Sequence, residues 1–153
     1  MASERTIALA TEEDTQEFAA QIAAILRIGD TLLLSGDIGA GKSAFSRAVI
    51  RAHAQADIDV PSPTFTLVQT YAFDDFEIWH CDLYRLTHPD EALELGLDQA
   101  FETAVCLIEW PDRLGGDAPD NALALHFAAH ETGHSVSFSA SDSWAARLDG
   151  IHG

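Results

Sequence analysis

The sequence predicts an α/β fold built as a single domain over residues 1–153. Three observations support this prediction. A length of 153 residues suits one ordinary domain with its own hydrophobic core. Strand-like and helix-like segments alternate along the chain, without a repeat, a low-complexity tract or an internal linker. An apolar run, a glycine-rich turn and an amphipathic helical segment also follow one another directly between Thr31 and Ala52.

The glycine-rich turn fits the phosphate-binding loop pattern G-x-x-x-x-G-K-[ST], whose fixed positions are Gly36, Gly41, Lys42 and Ser43. Residues 31–34 before it are typical of a strand buried on both faces. A strand, loop and helix in this order direct backbone N–H groups and the positive end of a helix at a phosphate. We therefore expect a nucleotide site formed by the loop and the first helical turn, namely by Gly36, Gly39, Ala40, Gly41, Lys42, Ser43 and Ala44.

Lys42 is the only lysine in the chain, and the other seven basic residues are arginines. This isolated use of lysine indicates a chemical requirement at that position. In loops of this type the lysine reaches the β- and γ-phosphates, and the hydroxyl after it, here that of Ser43, ligates Mg²⁺. A glycine-rich turn without a ligand is the alternative, and the two fitting flanks make it the less favoured one.

A formal net charge of −17 and a pI near 4.4 argue against direct binding to nucleic acid, which depends largely on cationic contacts with phosphate. An acidic solvated surface is the simpler interpretation, and docking on a basic protein partner is the more specific one.

The chain has no apolar run long enough to span a bilayer, and its acidic N-terminal segment does not resemble a signal peptide, so we expect a cytoplasmic location and no membrane contact. Cys81 and Cys106 lie in apolar, strand-like segments and are expected to be buried thiols rather than a disulfide.

The first 30 residues predict a strand followed by a helix. Residues 6–9 are strand-like, and Thr11 is a candidate N-cap with Asp14 as its capping-box partner. The helix is expected to end near Gly29. Because this unit directly precedes the phosphate loop, its turn, including Glu12, is expected on topological grounds to border the adenine of a bound nucleotide.

Beyond the loop helix, the sequence predicts a stiffened loop and a hairpin. Residues 60–64 contain two prolines, which restrict the backbone of each proline and of the residue before it. Residues 65–73 alternate between apolar and polar side chains and predict a strand, and residues 76–82 predict the returning strand after a turn at Asp74 and Asp75.

The rest of the chain predicts one short helix and a buried strand before the C-terminal elements. The helix is expected over residues 89–95, with Pro89 at its start and Gly96 stopping it. Residues 105–108 are an apolar run typical of a buried strand, closed by Glu109. A turn, two late strands and a terminal helix are predicted at residues 111–116, 122–127, 136–138 and 141–148.

Glu109 and Asp82 each end a strand-like run, and a phosphate loop needs a carboxylate to hold Mg²⁺ and a group to orient the attacking nucleophile. Ligands of parallel α/β sheets bind at the carboxyl ends of the strands, where both acids and the loop would meet. A surface acid at a strand end is the alternative, less favoured for Glu109 than for Asp82.

Four segments of the chain resemble the TsaE (YjeE) family of bacterial P-loop ATPases. They are GDIGAGKS at residues 36–43, SPTFTLV at residues 62–68, HCDLYRL at residues 80–86 and LIEWP at residues 107–111. The resemblance extends from about residue 31 to residue 113, with the segments in the family's order and spacing. The loop motif alone is shared with many proteins, whereas the other three segments are close to diagnostic.

The resemblance implies a single P-loop NTPase-type domain with a central mixed β-sheet flanked by helices. It implies an Mg²⁺-dependent ATPase, with ATP and ADP as nucleotides, that acts in the synthesis of threonylcarbamoyladenosine in tRNA. In that family the ATPase works with the TsaD and TsaB proteins and is not thought to carry out the carbamoyl transfer itself.

The resemblance also assigns roles to individual residues. By position, Lys42 binds phosphate, Ser43 and Glu109 hold Mg²⁺, Asp82 is the candidate for positioning the attacking water, and Thr64 lies in a switch-like catalytic loop. Whether Asp82 or Glu109 positions the water stays open.

The resemblance also implies that Trp110 lies beside the acid that holds the metal, in contact with the nucleotide. This chain has Ser43 where relatives usually have threonine, and both residues carry the required hydroxyl. Relatives often have Gly-Arg where this chain has Gly133 and His134, so a basic contact with the nucleotide depends there on His134.

Two other functions are consistent with the loop. A small-molecule kinase commonly needs cationic groups around the transferred phosphoryl group, and between Arg51 and Arg113 this chain has only Arg85, which counts against a kinase. A nucleotide-gated binding module with negligible turnover would bind ATP through the same residues, so the sequence does not separate it from an ATPase.

Overall fold

The computed structural model describes residues 4–63, 66–139 and 141–151, which form one α/β domain around a seven-stranded mixed sheet. The strands are β1 (Glu4–Leu9), β2 (Thr31–Gly36), β3 (Val68–Ala72), β4 (Glu77–Asp82), β5 (Val105–Glu109), β6 (Leu123–His130) and β7 (Gly133–Ser139). The helices are α1 (Glu12–Ile25), α2 (Lys42–Ala54), α3 (Asp90–Glu94), α4 (Leu97–Thr103) and α5 (Asp142–Leu148), with a 3₁₀ helix at Pro111–Asp117. In the described part of the chain, no helix has the length and apolar character needed to cross a membrane.

The strand order is β1-β7-β6-β2-β5-β4-β3, which confirms the prediction of a mixed sheet. The central strands β6, β2, β5 and β4 are parallel, and the outer strands β7, β1 and β3 are antiparallel to their neighbours. In the register of the parallel strands, Leu34 and Asp82 both lie opposite Glu109. The carboxyl ends of β2, β4 and β5 therefore meet at one edge of the sheet, where the phosphate loop begins.

Helices cover both faces of the sheet around its central strands. On one face α1, α2 and α5 pack on the sheet and enclose a core that includes Phe18, Phe45 and Trp144. On the other face α3, α4 and the 3₁₀ helix enclose a second core that includes Leu97 and Leu114. Every residue of β5 is buried between these two layers, which explains why residues 105–108 are a continuous apolar run.

Local sequence signals placed several elements correctly. The capping box at the start of α1 is confirmed, because the Thr11 hydroxyl accepts from the Asp14 backbone N–H and the Asp14 carboxylate accepts from the Thr11 backbone N–H. The hairpin is confirmed as the antiparallel pair of β3 and β4. Cys81 and Cys106 are free, buried thiols, and burial raises the pKa of Cys106 to about 12.

Several boundaries differ from the predictions. Helix α1 ends at Ile25 rather than near Gly29, β6 continues to His130, and β7 begins already at Gly133. The strand expected over residues 65–73 begins only at Val68, because Leu67 adopts a left-handed backbone with φ of 68° that cannot extend a strand; Phe65 lies outside the described residues. Gly96 ends α3 as predicted, but it is also the N-cap of α4, a helix that was not predicted.

Candidate nucleotide-binding site

The phosphate loop links the end of β2 at Gly36 to the start of α2 at Lys42. All three glycines of the loop have positive φ angles, which residues with a Cβ rarely adopt. The angles are 130° at Gly36, 84° at Gly39 and 112° at Gly41. Gly36 is restricted further, because a Cβ there would lie 2.2 Å from the main-chain oxygen of Phe127 on the neighbouring strand β6. Close packing of the loop on β6 thus requires glycine at the first position of the motif.

We expect Gly36→Ala to destabilise the protein much more than Gly39→Ala does. Both changes place a Cβ on a left-handed backbone, which costs about 1–2 kcal/mol. A Cβ at Gly39 meets no atom within 4 Å, whereas one at Gly36 collides with the backbone of Phe127, so its total loss should reach roughly 4 kcal/mol or more. Urea unfolding of both variants measures the difference, and equal losses would show that the contact with β6 does not restrict the loop.

Lys42 folds back over the loop, with only 5% of its surface exposed. Its ammonium donates hydrogen bonds to the main-chain oxygens of Gly36 and Asp37, the second at 3.2 Å. The nitrogen also lies 3.9 Å from the centre of the Trp110 ring, within the range of a cation–π interaction. The ammonium is therefore held at the mouth of the loop by contacts that a phosphate oxygen could replace.

Burial lowers the pKa of Lys42 below its ordinary value. The negative charges of four nearby carboxylates act in the opposite direction, and in order of effect they belong to Glu109, Asp82, Asp37 and Asp112. Cation and carboxylates thus meet at one edge of the sheet, as expected of a site for a phosphate and a divalent cation.

Ser43, Glu109 and His80 form one connected group next to the loop. The Ser43 hydroxyl lies 2.9 Å from Glu109 Oε1 and 3.2 Å from Oε2, and donates to this carboxylate. His80 Nε2 donates to Glu109 Oε2 across 2.7 Å. Glu109 is only 2% exposed, so its carboxylate is held between the first turn of α2 and strand β4.

Asp82 ends β4 beside Glu109 and is 8% exposed. Its Oδ1 accepts a hydrogen bond of 3.0 Å from the Tyr84 backbone N–H, and its own backbone N–H donates to the oxygen of Leu67 at 2.9 Å. The second contact connects Asp82 to the segment that leaves the proline-containing loop. Asp82 therefore lies between the candidate site and the loop predicted to act as a switch.

Trp110 follows Glu109 directly and has a left-handed backbone with φ of 61°. This backbone turns the ring over Lys42, and the Tyr84 ring packs against it with centroids 4.9 Å apart. The two aromatic rings form an apolar wall on one side of the site.

The loop, α2 and the ends of β4 and β5 surround a cleft of about 570 Å³. The predicted site residues that line it are Gly39, Gly41, Lys42, Ser43, Ala44, Asp82, Glu109, Trp110 and His134. His134 lies on β7, and its Nε2 donates to the Gly39 oxygen across 3.2 Å. Ala40 is buried in the first core, and Gly36 packs against β6.

Glu12 lies in a neighbouring cavity of about 560 Å³ between α1 and α2. Ala44 and Arg47 line both cavities, so the cavity of Glu12 is adjacent to the cleft along this part of α2. Thr64 lies outside the described residues.

Four residues had no predicted site role: Ile38, Arg47 and Tyr84, which line the cleft, and His80, which is fully buried and contacts Glu109. Arg47 is one helical turn after Ser43, so its position on the cleft side follows from helical spacing. His80 is two residues before Asp82, so strand alternation puts both on one face of the sheet. These two spacings were available in the sequence, whereas the contact of Tyr84 with Trp110 depends on the tertiary structure.

The buried parallel strand, the glycine loop and the helix, with acids at the adjacent strand ends, define an α/β domain of the P-loop type. The chain belongs to the TsaE family, since the family model described as threonylcarbamoyl adenosine biosynthesis protein TsaE matches residues 9–136.

Individual relatives agree with this assignment. A Rickettsia bellii protein named tRNA threonylcarbamoyladenosine biosynthesis protein TsaE is 45% identical over 112 residues, covering 73% of this chain and 77% of its own length. A Bacillus subtilis protein of the same name is 37% identical over 114 residues, covering 74% of this chain and 70% of its own length. The crystal structure of Bacillus subtilis YdiB superposes with a TM-score of 0.80 at 26% identity, covering 97% of this chain and 94% of that one.

Proposed function

We propose that this protein is an Mg²⁺-dependent ATPase that serves the synthesis of threonylcarbamoyladenosine in tRNA as an accessory subunit. The observation that carries the proposal is the group formed by Lys42, Ser43 and Glu109 at the mouth of the phosphate loop. The names of the Rickettsia and Bacillus relatives support the assignment to tRNA modification. We expect the protein to act in the cytoplasm.

ATP and ADP fit the cleft through their phosphates. Backbone N–H groups of the loop and of the start of α2 would hold the phosphates, and Lys42 would balance their negative charge. Trp110 and His134 line the cleft and would contact the nucleotide, and Glu12 would do so from the neighbouring cavity, which shares Ala44 with the cleft.

Ser43 and Glu109 are suited to hold Mg²⁺, because a hydroxyl and a carboxylate are the hard oxygen ligands that this ion prefers. They already lie within hydrogen-bond distance of each other. Among the residues that the structure describes, no group of three or more acidic, histidine or cysteine side chains converges on a metal position. When bound, the ion neutralises charge on the β- and γ-phosphates.

Asp82 is the residue that we assign to orienting the attacking water. Its carboxylate lines the cleft beside Glu109, and its backbone is tied to Leu67 in the segment that follows the proline-containing loop. Thr64 belongs to that loop and is proposed to sense the γ-phosphate. Conversion of ATP to ADP would thereby change the conformation of this loop at the protein surface, as in switch segments of other nucleotide-binding proteins.

TsaD and TsaB are the proposed protein partners. The net charge of −17 suits docking on a basic protein surface better than direct binding to tRNA. The chain has only seven arginines, and Arg47 is the arginine that lines the cleft. A partner that supplies an arginine to a P-loop site accelerates hydrolysis by about 10³–10⁵-fold in the best-studied cases.

We therefore expect slow ATP hydrolysis by the protein alone and faster hydrolysis with purified TsaD and TsaB. Phosphate release with and without the partners measures the stimulation, and partner affinity is measured with ADP and with a non-hydrolysable ATP analogue. If docking is electrostatic, its association rate should fall as salt rises. Phosphate release that requires a small acceptor would instead favour a kinase. Equal partner affinities in both nucleotide states, without stimulation, would contradict the switch and leave a simple ATPase.

A further inference from the structure

His80 is a completely buried histidine whose ring contacts the carboxylate assigned to the metal. It is 0% exposed, and its Nε2 lies 2.7 Å from Glu109 Oε2. It extends from β4 towards the helix α2, on the face of the sheet that carries Ile78 and Asp82. Burying a histidine in a hydrophobic layer costs free energy unless its ring nitrogens form hydrogen bonds.

In the described structure, only one of the two ring nitrogens of His80 forms a hydrogen bond. Nδ1 is buried and has no hydrogen-bond partner in the described structure. A ring with its hydrogen on Nε2 satisfies the bond to Glu109 and leaves a lone pair, rather than a donor, unpaired at Nδ1. The bond to Glu109 is thus the single polar contact that this buried ring makes, and a simple packing role does not require an imidazole.

We propose that His80 is a positioning residue that fixes the Glu109 carboxylate for Mg²⁺ binding. The inference rests on the proposed function, because it assigns His80 a role at the same metal site. Glu109 has two hydrogen-bond donors in the structure, Ser43 and His80. Both Ser43 and Glu109 are assigned as ligands, so the hydrogen bond between them must break when the ion binds and be replaced by a bond from each residue to the ion. The bond from His80 is independent of that exchange and keeps Oε2 in place.

The consequence of losing His80 differs from that of losing a core residue. Without the ring, the Glu109 carboxylate is free to turn towards the nearby Lys42 ammonium, whose pKa it acts to raise against the effect of burial. The ion would then have to reorient the carboxylate on binding, which weakens its affinity. Removing a hydrogen-bond partner of a metal ligand typically lowers metal affinity by about 10–100-fold.

The test compares His80→Leu, which removes the donor, with His80→Gln, whose amide nitrogen can replace Nε2. Ile78→Ala is the matched control, since Ile78 is a buried residue of the same strand and the same sheet face. For each variant, binding of a fluorescent ADP analogue is measured without Mg²⁺ and along a Mg²⁺ titration, together with the melting temperature. These measurements are independent of turnover.

We expect His80→Leu to raise the Mg²⁺ concentration at half-saturation about tenfold or more, with Mg²⁺-free binding of the analogue within about threefold of the parent. His80→Gln should restore most of the Mg²⁺ affinity, and Ile78→Ala should lower the melting temperature without a shift in half-saturation. If His80→Leu does not fold, His80→Asn replaces it, because the shorter amide does not reach the position of Nε2.

An unchanged Mg²⁺ half-saturation in His80→Leu or His80→Asn would overturn the inference, as would an equal shift in Ile78→Ala. Failure of the proposed function looks different. In that case the parent protein itself shows no Mg²⁺-dependent binding of the nucleotide analogue, before any variant is compared.

Discussion

Lys42→Ala is expected to abolish productive ATP turnover while leaving the fold intact, with a loss of about 10³-fold or more in rate. Lys42 is the only lysine of the chain, and its ammonium lies at the mouth of the phosphate loop. In the proposed mechanism the Lys42 ammonium balances the negative charge of the β- and γ-phosphates. Its contribution is largest during hydrolysis, because negative charge then builds up on the leaving phosphate group. No other lysine is present to replace it.

The fold should survive this change, because Lys42 makes its hydrogen bonds to the loop rather than between layers of the core. Its ammonium also packs on Trp110, so the variant removes one cation–π contact, worth roughly 0.5–2 kcal/mol. Circular dichroism and thermal unfolding check that the variant is folded before turnover is compared.

Arg27→Ala is a suitable control, because Arg27 is an exposed basic residue on the segment between α1 and β2. It changes the net charge by the same amount as Lys42→Ala does. Hydrolysis by Lys42→Ala at the parental rate, under the same Mg²⁺ conditions, would show that the site is assigned wrongly. A similar loss in Arg27→Ala would trace the effect to total charge.

Glu109→Gln and Asp82→Asn are expected to separate metal binding from catalysis. Glu109→Gln removes the charge that holds the ion, so nucleotide binding and its Mg²⁺ dependence should weaken together, by about tenfold or more. Asp82→Asn should slow hydrolysis by about 10²–10⁴-fold and change nucleotide affinity little, as expected of a group that acts mainly in the transition state.

The geometry supports this division. Glu109 is connected to Ser43, the other proposed ligand of the ion, while Asp82 is connected through its backbone to the segment after the proline-containing loop. Mg²⁺ titrations of nucleotide binding and of phosphate release, run on both variants, measure the two effects. Equal losses of binding in the two variants would reject separate roles.

Local interactions explain which predictions from sequence succeeded. The capping box at Thr11 and Asp14 spans one helical turn, and residues 105–108 of β5 are a continuous apolar run because helices cover both faces of the strand. The predicted end of α3 at Gly96 was right, but the same glycine begins α4. A helix of seven residues offers too few periods for its spacing to be recognised, and only its packing on the second core makes it stable.

The sequence by itself determined the phosphate loop, the α/β class and the family, because these depend on residues close together in the chain. It also identified Glu109 and Asp82 as strand-end acids, which the parallel register brings side by side. Only the tertiary structure showed that the backbone of Phe127 leaves no room for a Cβ at Gly36, that Trp110 covers Lys42 and that His80 is hydrogen-bonded to Glu109. The physical reason is that these contacts join residues far apart in sequence, and their geometry is set by how strands and helices pack.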